Sequence, residues 1–209
     1  MSLFFKVLEE IDSPYNGNIR VVSNLEGVRI LVGGISQSGW LVRKIWQAAI
    51  RRIAKEKESV GRVLVLGLGG GSVAELVQRQ WPKSKKVGID IDGTMVELGK
   101  KYLGLGEVQN LKAEILDARK WLRDNKNKKF DLVLVDIYKG EDIPQEFRKE
   151  GFIRDVLRVL KKDGIAAFNH LYSARERRGA NEFSQKLHHV FPSVTVVTPE
   201  ANIIFLCRS

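Results

Sequence analysis

A chain of 209 residues with 44% hydrophobic and 29% charged side chains fits one ordinary domain, or a domain with a small appendage, able to bury roughly 70% of its unfolded surface. A disordered, collagen-like or disulfide-framework protein is excluded, and the single Cys207 forms neither an intramolecular disulfide nor a Cys-based metal site, which fits a reducing cytoplasm. The formal charge of +10, from 35 Lys and Arg against 25 Asp and Glu, raises a polyanionic partner such as nucleic acid. The basic residues nevertheless fall in short scattered groups at 51–52, 83–86, 100–101, 126–129, 161–162 and 175–178, as helix ends and a solvated surface would have them, and this pattern argues against that partner.

At the start, Lys6, Glu9 and Glu10 follow the apolar residues so closely that neither a signal peptide nor a membrane span fits, and a soluble, unprocessed chain is expected. Residues 19–32 form two β-branched runs around a turn at 24–27, a hairpin signal, with a third strand expected at 4–11. Next, Leu41, Val42, Ile45, Trp46, Ala49, Ile50 and Ile53 recur at helical spacing with Arg43, Lys44, Gln47, Arg51 and Arg52 opposite, which predicts one amphipathic helix ending near Lys55. From Val60 onward apolar runs alternate with helical segments, the signature of βαβ units and a mostly parallel sheet. Strands are predicted at 62–66, 86–91, 111–115, 132–136 and 164–169, and helices at 72–80, 94–103, 118–124 and 152–160. A helix at 180–190 then leads to strands at 194–197 and 203–207, whose five-residue link is too short for a parallel crossover. The expected division is an N-terminal β element plus helix over residues 1–57 and an α/β domain over 58–209.

The strongest chemical signal is Leu66-Gly67-Leu68-Gly69-Gly70-Gly71-Ser72, a buried strand running through a glycine turn into a helix. Gly67, Gly69 and Gly71 allow a tight turn and close approach of a ligand, and the helix N-terminus offers N–H donors. Ser72 occupies the third-glycine position of a dinucleotide fingerprint, so a nucleoside is indicated and NAD is not. Asp90 and Asp92 end the next strand. Asp90 is the candidate acceptor for ribose hydroxyls, and Asp92 the cap of the following helix. Asp117 is either an acceptor for an adenine amino group or the N-cap of the helix that Ala118 opens. Asp136, at the carboxyl end of the fourth strand, is a general base, an orienter of an amine, or a turn residue paired with Lys139. His170 ends the fifth strand as a crevice or structural residue, and His188-His189 lack further ligands, so no metal is predicted.

Five parallel strands closed by an antiparallel hairpin is the layout of the class I S-adenosylmethionine-dependent transferases. The residues resemble the spermidine synthase family, the aminopropyltransferases and their methyltransferase-fold relatives. Ile11-Asp12-Ser13-Pro14-Tyr15 with Ile19-Arg20-Val21 looks like the family's N-terminal Ser-x-Tyr-Gln strand, and Gly34-Ile35-Ser36-Gln37 like the end of its second hairpin strand. The glycine turn is similar to its Gly-Gly-Gly-Asp-Gly loop, Asp90-Ile91-Asp92 to its Glu-Ile-Asp strand end, and Lys100-Lys101-Tyr102-Leu103 to its Lys-Lys-Phe-Leu helix. The resemblance implies that Asp90 and Ile91, then Asp117 and Ala118, contact the nucleoside, and that Asp136 is the proton acceptor of an Asp-Ser-Ser-Asp-Pro loop. The departures cluster at the amine side. Ser72 replaces the loop Asp that holds an aminopropyl amine, Lys139 replaces the second Asp of the catalytic loop, Asn16 replaces the usual Gln, and residues 198–202 replace a Tyr-Pro-Ser-Gly stretch. An acidic segment expected after Gln37 is missing. The expectation is therefore a cytoplasmic methyltransferase that uses S-adenosylmethionine on an unidentified small-molecule acceptor, with no membrane partner and a homodimer as a possible assembly. The alternatives are an aminopropyltransferase using decarboxylated S-adenosylmethionine and a nucleoside-binding protein without turnover.

Overall fold

The computed structural model describes residues 5–173 and 176–209. Its chain begins with an antiparallel meander of four strands, β1 (Lys6–Ser13), β2 (Gly17–Asn24), β3 (Gly27–Val32) and β4 (Ile35–Gly39), in that spatial order. The 24–27 hairpin is present, with Asn24 paired to Gly27, and β1 supplies the third strand; residue 4 of its expected range lies outside the described residues. The fourth strand was not expected. Gly33 and Gly34 both take positive φ, which reverses the chain so that Ile35 pairs with Val32. Helix α1 (Trp40–Ala54) follows directly from Gly39.

The remainder is one seven-stranded sheet built from β5 (Arg62–Leu66), β6 (Lys85–Asp90), β7 (Leu111–Ile115), β8 (Phe130–Val135), β9 (Leu160–Leu171), β10 (Ser193–Val197) and β11 (Asn202–Arg208), in the order β10-β11-β9-β8-β5-β6-β7. β5 to β9 are mutually parallel, and β11 runs antiparallel to both β9 and β10. The helices are α2 (Ser72–Gln80), α3 (Gly93–Tyr102), α4 (Ala118–Asp124), α5 (Glu150–Arg158) and α6 (Arg177–Val190). The helix expected at 152–160 ends earlier, because Leu160 already pairs with Phe130 as the first residue of β9.

Strand alternation sorts the core. Leu64, Leu66, Val133 and Val135 face Trp121, Phe152 and Phe183 of α4, α5 and α6, while Val63, Val65, Leu132 and Leu134 face Trp46 of α1 and Val73 of α2. α1, grouped by sequence with the N-terminal strands, thus packs as a layer of the large sheet. The small sheet lies over α3 through Ile19, Val21 and Ile30 against Met95 and Leu98. The chain leaves β5 toward β6 and β7 on one side and returns to β8 on the other, so the crevice at the carboxyl ends of β5 and β8 is where ligands bind in such sheets. Among the described residues no helix is long and apolar enough to cross a membrane.

Candidate nucleoside site

β5 runs into the glycine turn, whose Gly67 and Leu68 N–H groups donate to the Ile89 carbonyl at 2.9 and 3.0 Å. Gly67 sits at φ +85°, and a Cβ there would lie 2.2 Å from the Asp136 carbonyl oxygen. Only glycine lets the ends of β5 and β8 converge this closely. The Gly69 N–H donates to Asp90 Oδ2 at 2.6 Å and the Gly70 N–H to Ser38 Oγ at 2.8 Å. Gly67 and Gly69 line a cavity of about 420 Å³. Gly71, the third glycine of the expected cradle, does not line it: at φ +88° it turns the chain into α2, and a Cβ there would meet Leu105 at 2.4 Å. Its missing Cβ makes room for the Leu105 side chain.

Across the sheet the cavity extends from Ile91, Leu116, Asp117 and Ala118 past Asp90 to Asp136 and Tyr138, with Tyr15, Asn16 and Gln37 of the small sheet on its wall. Asp90 accepts from Gly69 with one oxygen and from the Asp92 N–H, at 2.9 Å, with the other. Each oxygen keeps a further lone pair for a hydroxyl. Burial holds this carboxyl above its ordinary proton affinity despite those N–H donors. Asp92 caps α3 through the Thr94 N–H at 2.9 Å, and its second oxygen accepts from Ser13 Oγ at 2.5 Å and Asn16 Nδ2 at 2.6 Å. The cap therefore also bolts the β1–β2 turn to the large domain. Asp117 caps α4 through the Lys120 N–H at 2.9 Å and lines the cavity as well, so the two readings of this residue are compatible. Ile91 is 42% exposed at the cavity wall and Ala118 is buried beside it.

At the far end, Asp136 accepts from Trp46 Nε1 at 2.8 Å and from Asn169 Nδ2 at 2.9 Å, and Asn169 Oδ1 accepts from Asn202 Nδ2 at 2.9 Å. Burial pushes the Asp136 carboxyl up to about 6, a rise that the two donors only partly offset. Among the described residues it makes no ion pair with Lys139, whose backbone instead pairs with Asp142 while the residue lines the cavity. His170 is 1% exposed, binds the Leu171 carbonyl through Nδ1 at 2.7 Å and packs on Phe183, which makes it structural. Ser72, also buried, accepts the Gly39 N–H at 2.8 Å. Trp46, Asn169 and Asn202 were missed by sequence reading. Trp46 looks like a core residue on an apolar helix face, and nothing local marks two asparagines 33 residues apart as partners.

Among the described residues no cluster of His, Cys, Asp and Glu could hold a metal ion. A family model for the spermine/spermidine synthase domain matches residues 43–203. Polyamine aminopropyltransferase 1 of Aquifex aeolicus is 28% identical over 199 residues, covering 92% of this chain and 70% of that protein. The polyamine aminopropyltransferase of Vibrio vulnificus is 28% identical over 110 residues, and the eEF1A lysine and N-terminal methyltransferase of Mus musculus is 26% identical over 157. These alignments take in 52% and 70% of this chain but only 37% and 22% of those longer proteins. In three dimensions a probable spermidine synthase from Corynebacterium glutamicum superposes with a TM-score of 0.81 at 18% identity, over 97% of this chain and 80% of that one. Human methyltransferase-like protein 13 in complex with SAH superposes at 0.63 and 22% identity, over 80% and 79%. The fold is that of the class I methyltransferase-like α/β proteins.

Proposed function

The chain belongs to the spermine/spermidine synthase domain family, and from that premise we propose that it is a transferase that binds S-adenosylmethionine and moves its methyl group to a small acceptor. The residues present fit the nucleoside: Gly67 and Gly69 leave a wall without Cβ atoms, Asp90 offers ribose hydroxyls its free lone pairs, and Asp117 stands by Ile91 and Ala118 at the adenine end. When bound, S-adenosylmethionine supplies an electrophilic methyl group on a sulfonium.

The observation that carries the choice of donor is Ser72. Where the family resemblance places a carboxylate for an aminopropyl amine, this side chain is neutral, 2% exposed and occupied by the Gly39 N–H. A purely cationic tail finds no counter-charge there, and a charge-assisted hydrogen bond missing at such a point is worth about 1.5 to 3 kcal/mol. Asp136 faces the acceptor side. With its proton affinity raised toward neutrality by burial, its carboxylate accepts a proton from an acceptor nucleophile, while Trp46 and Asn169 fix its orientation. Aminopropyl transfer is the second reading, favoured by the names of the Aquifex and Vibrio relatives and by Asp136 itself.

Titration with S-adenosylmethionine and its decarboxylated form, followed by assay of putrescine, separates the two. S-adenosylmethionine is expected to bind at least as tightly, and putrescine not to be aminopropylated. Tighter binding of the decarboxylated donor together with spermidine formation overturns the methyl-transfer reading.

A further inference from the structure

The basic groups that look scattered along the sequence are gathered by the topology. In a parallel sheet every helix-to-strand return lies at the amino ends of the strands, so the lysines at 83–86, 126–129 and 161–162 converge on the end of the molecule opposite the nucleoside cavity. There a groove of about 590 Å³ crosses β5, β6 and β7, lined by Arg62, Lys85, Lys86 and Lys112 with Val87, Asn110 and Leu111. Among the described residues its lining holds four basic side chains and no carboxylate.

Charge at helix ends accounts for lysines in the returns, but not for this groove. Lys86 is 1% exposed, and its ammonium donates to the Ser84 and Gln109 carbonyls at 2.9 and 3.1 Å, which leaves it one N–H. Among the described residues Lys85, Lys86 and the Arg62 guanidinium form no ion pair; the adjoining Asp131 carboxylate accepts the Arg62 backbone N–H at 2.8 Å and pairs with Lys161 at 2.9 Å, while the Arg62 guanidinium is held 5.1 Å over the Phe130 ring. Only Lys112 has an ion-pair partner, Glu114 at 3.1 Å. Burial lowers the proton affinity of Lys86, so the charge the groove offers to an anion from outside comes chiefly from the exposed Lys85 and Lys112 and from Arg62.

We propose that this groove and the returns around it bind the phosphate backbone of a nucleic acid. A membrane surface is the poorer match: of the large exposed apolar side chains, Phe5, Leu25 and Val196 lie on other elements and Ile115 ends β7 at its opposite, carboxyl end, and none of the four lines the groove. No aromatic ring lines it either, so recognition is by backbone charge without base stacking, sequence-tolerant and strongly salt-dependent. The inference is independent of the nucleoside site.

The test is fluorescence anisotropy of a labelled 20-nucleotide single strand and of its duplex across a potassium chloride series. The parent is compared with Lys85→Glu/Lys112→Glu and with a control of equal charge change on the small sheet, Lys6→Glu/Arg20→Glu. The groove variant should bind at least tenfold more weakly, with a salt slope lower by about 1 to 2, while the control stays within about threefold of the parent. Equal loss in both variants overturns the proposal, as does binding of phosphatidylserine vesicles or inorganic phosphate with none of either oligonucleotide. Should the glutamate pair fail to fold, Lys85→Gln/Lys112→Gln serves with the same expectations, and its unchanged affinity and slope would be equally fatal.

Discussion

Asp136 is held by two donors on opposite oxygens, Trp46 from α1 and Asn169 from β9. With its carboxyl at about 6 against an ordinary 3.8, the folded protein binds this proton more tightly than the unfolded chain. Stability from this group is therefore greatest below about pH 4 and declines as the pH rises toward 6, by at most about 3 kcal/mol. Asp136→Asn should lack that decline, and urea titrations of both proteins between pH 4 and 7 will show whether the difference between them is pH-dependent. The same variant should lower turnover by about two to four powers of ten with little change in nucleoside affinity, and the parent's rate should fall below about pH 6. Asp90 combines two jobs. Asp90→Ala removes the acceptor for ribose and also the clamp on the Gly69 N–H, so calorimetry should show S-adenosylmethionine binding weaker by about 1 to 3 kcal/mol. Unchanged affinity in a folded mutant would reduce Asp90 to a loop clamp.

How the elements meet explains why the glycine turn sits where it does. Gly99 lies inside α3, where glycine costs helix stability, yet a Cβ there would lie 2.6 Å from the Gly70 Cα. The helix touches the turn backbone to backbone. Gly99→Ala should push the turn out of place, costing about 1 to 3 kcal/mol in stability and weakening nucleoside binding although residue 99 does not line the cavity; thermal melts and calorimetry read the two effects separately. Asp92 joins α3 to the β1–β2 turn through Ser13 and Asn16. Asp92→Ala removes a cap worth about 1 kcal/mol and two hydrogen bonds to a charged group. Chemical denaturation should show a loss of about 2 to 4 kcal/mol, and Ser13→Ala a smaller one, because Asn16 and the cap remain.

The cavity is assembled from both sheets, with Tyr15 and Asn16 on one side and Gly67, Gly69, Asp90 and Asp136 on the other. A ligand filling it should therefore tie the small sheet to the large domain. At 100 times its dissociation constant, S-adenosylmethionine should stabilise the fold by about 2.7 kcal/mol, with hydrogen-exchange protection rising together at residues 15–16 and 67–69. NADH should do neither. Protection at the glycine turn alone would mean that the small sheet takes no part in binding. At the opposite end of the sheet the returns concentrate positive charge, a property of the whole molecule that no single segment displays.

The alternation of apolar runs and helical periods was enough to specify the parallel sheet, because strands buried on both faces must be continuously apolar and a link as short as 198–201 permits only an antiparallel pair. The glycine turn into α2 and the Asp117 cap of α4 were legible for the same kind of reason: they rest on backbone geometry within a few residues. The packing of Gly71 was not, since what its missing Cβ avoids is Leu105, far along the chain. Nor were the Trp46–Asp136–Asn169–Asn202 chain, the double duty of Asp92, or the meeting of Arg62, Lys85, Lys86 and Lys112. Each joins side chains from different strands and helices, and a hydrogen bond or a charge patch depends on distance in space, which only the packed sheet decides.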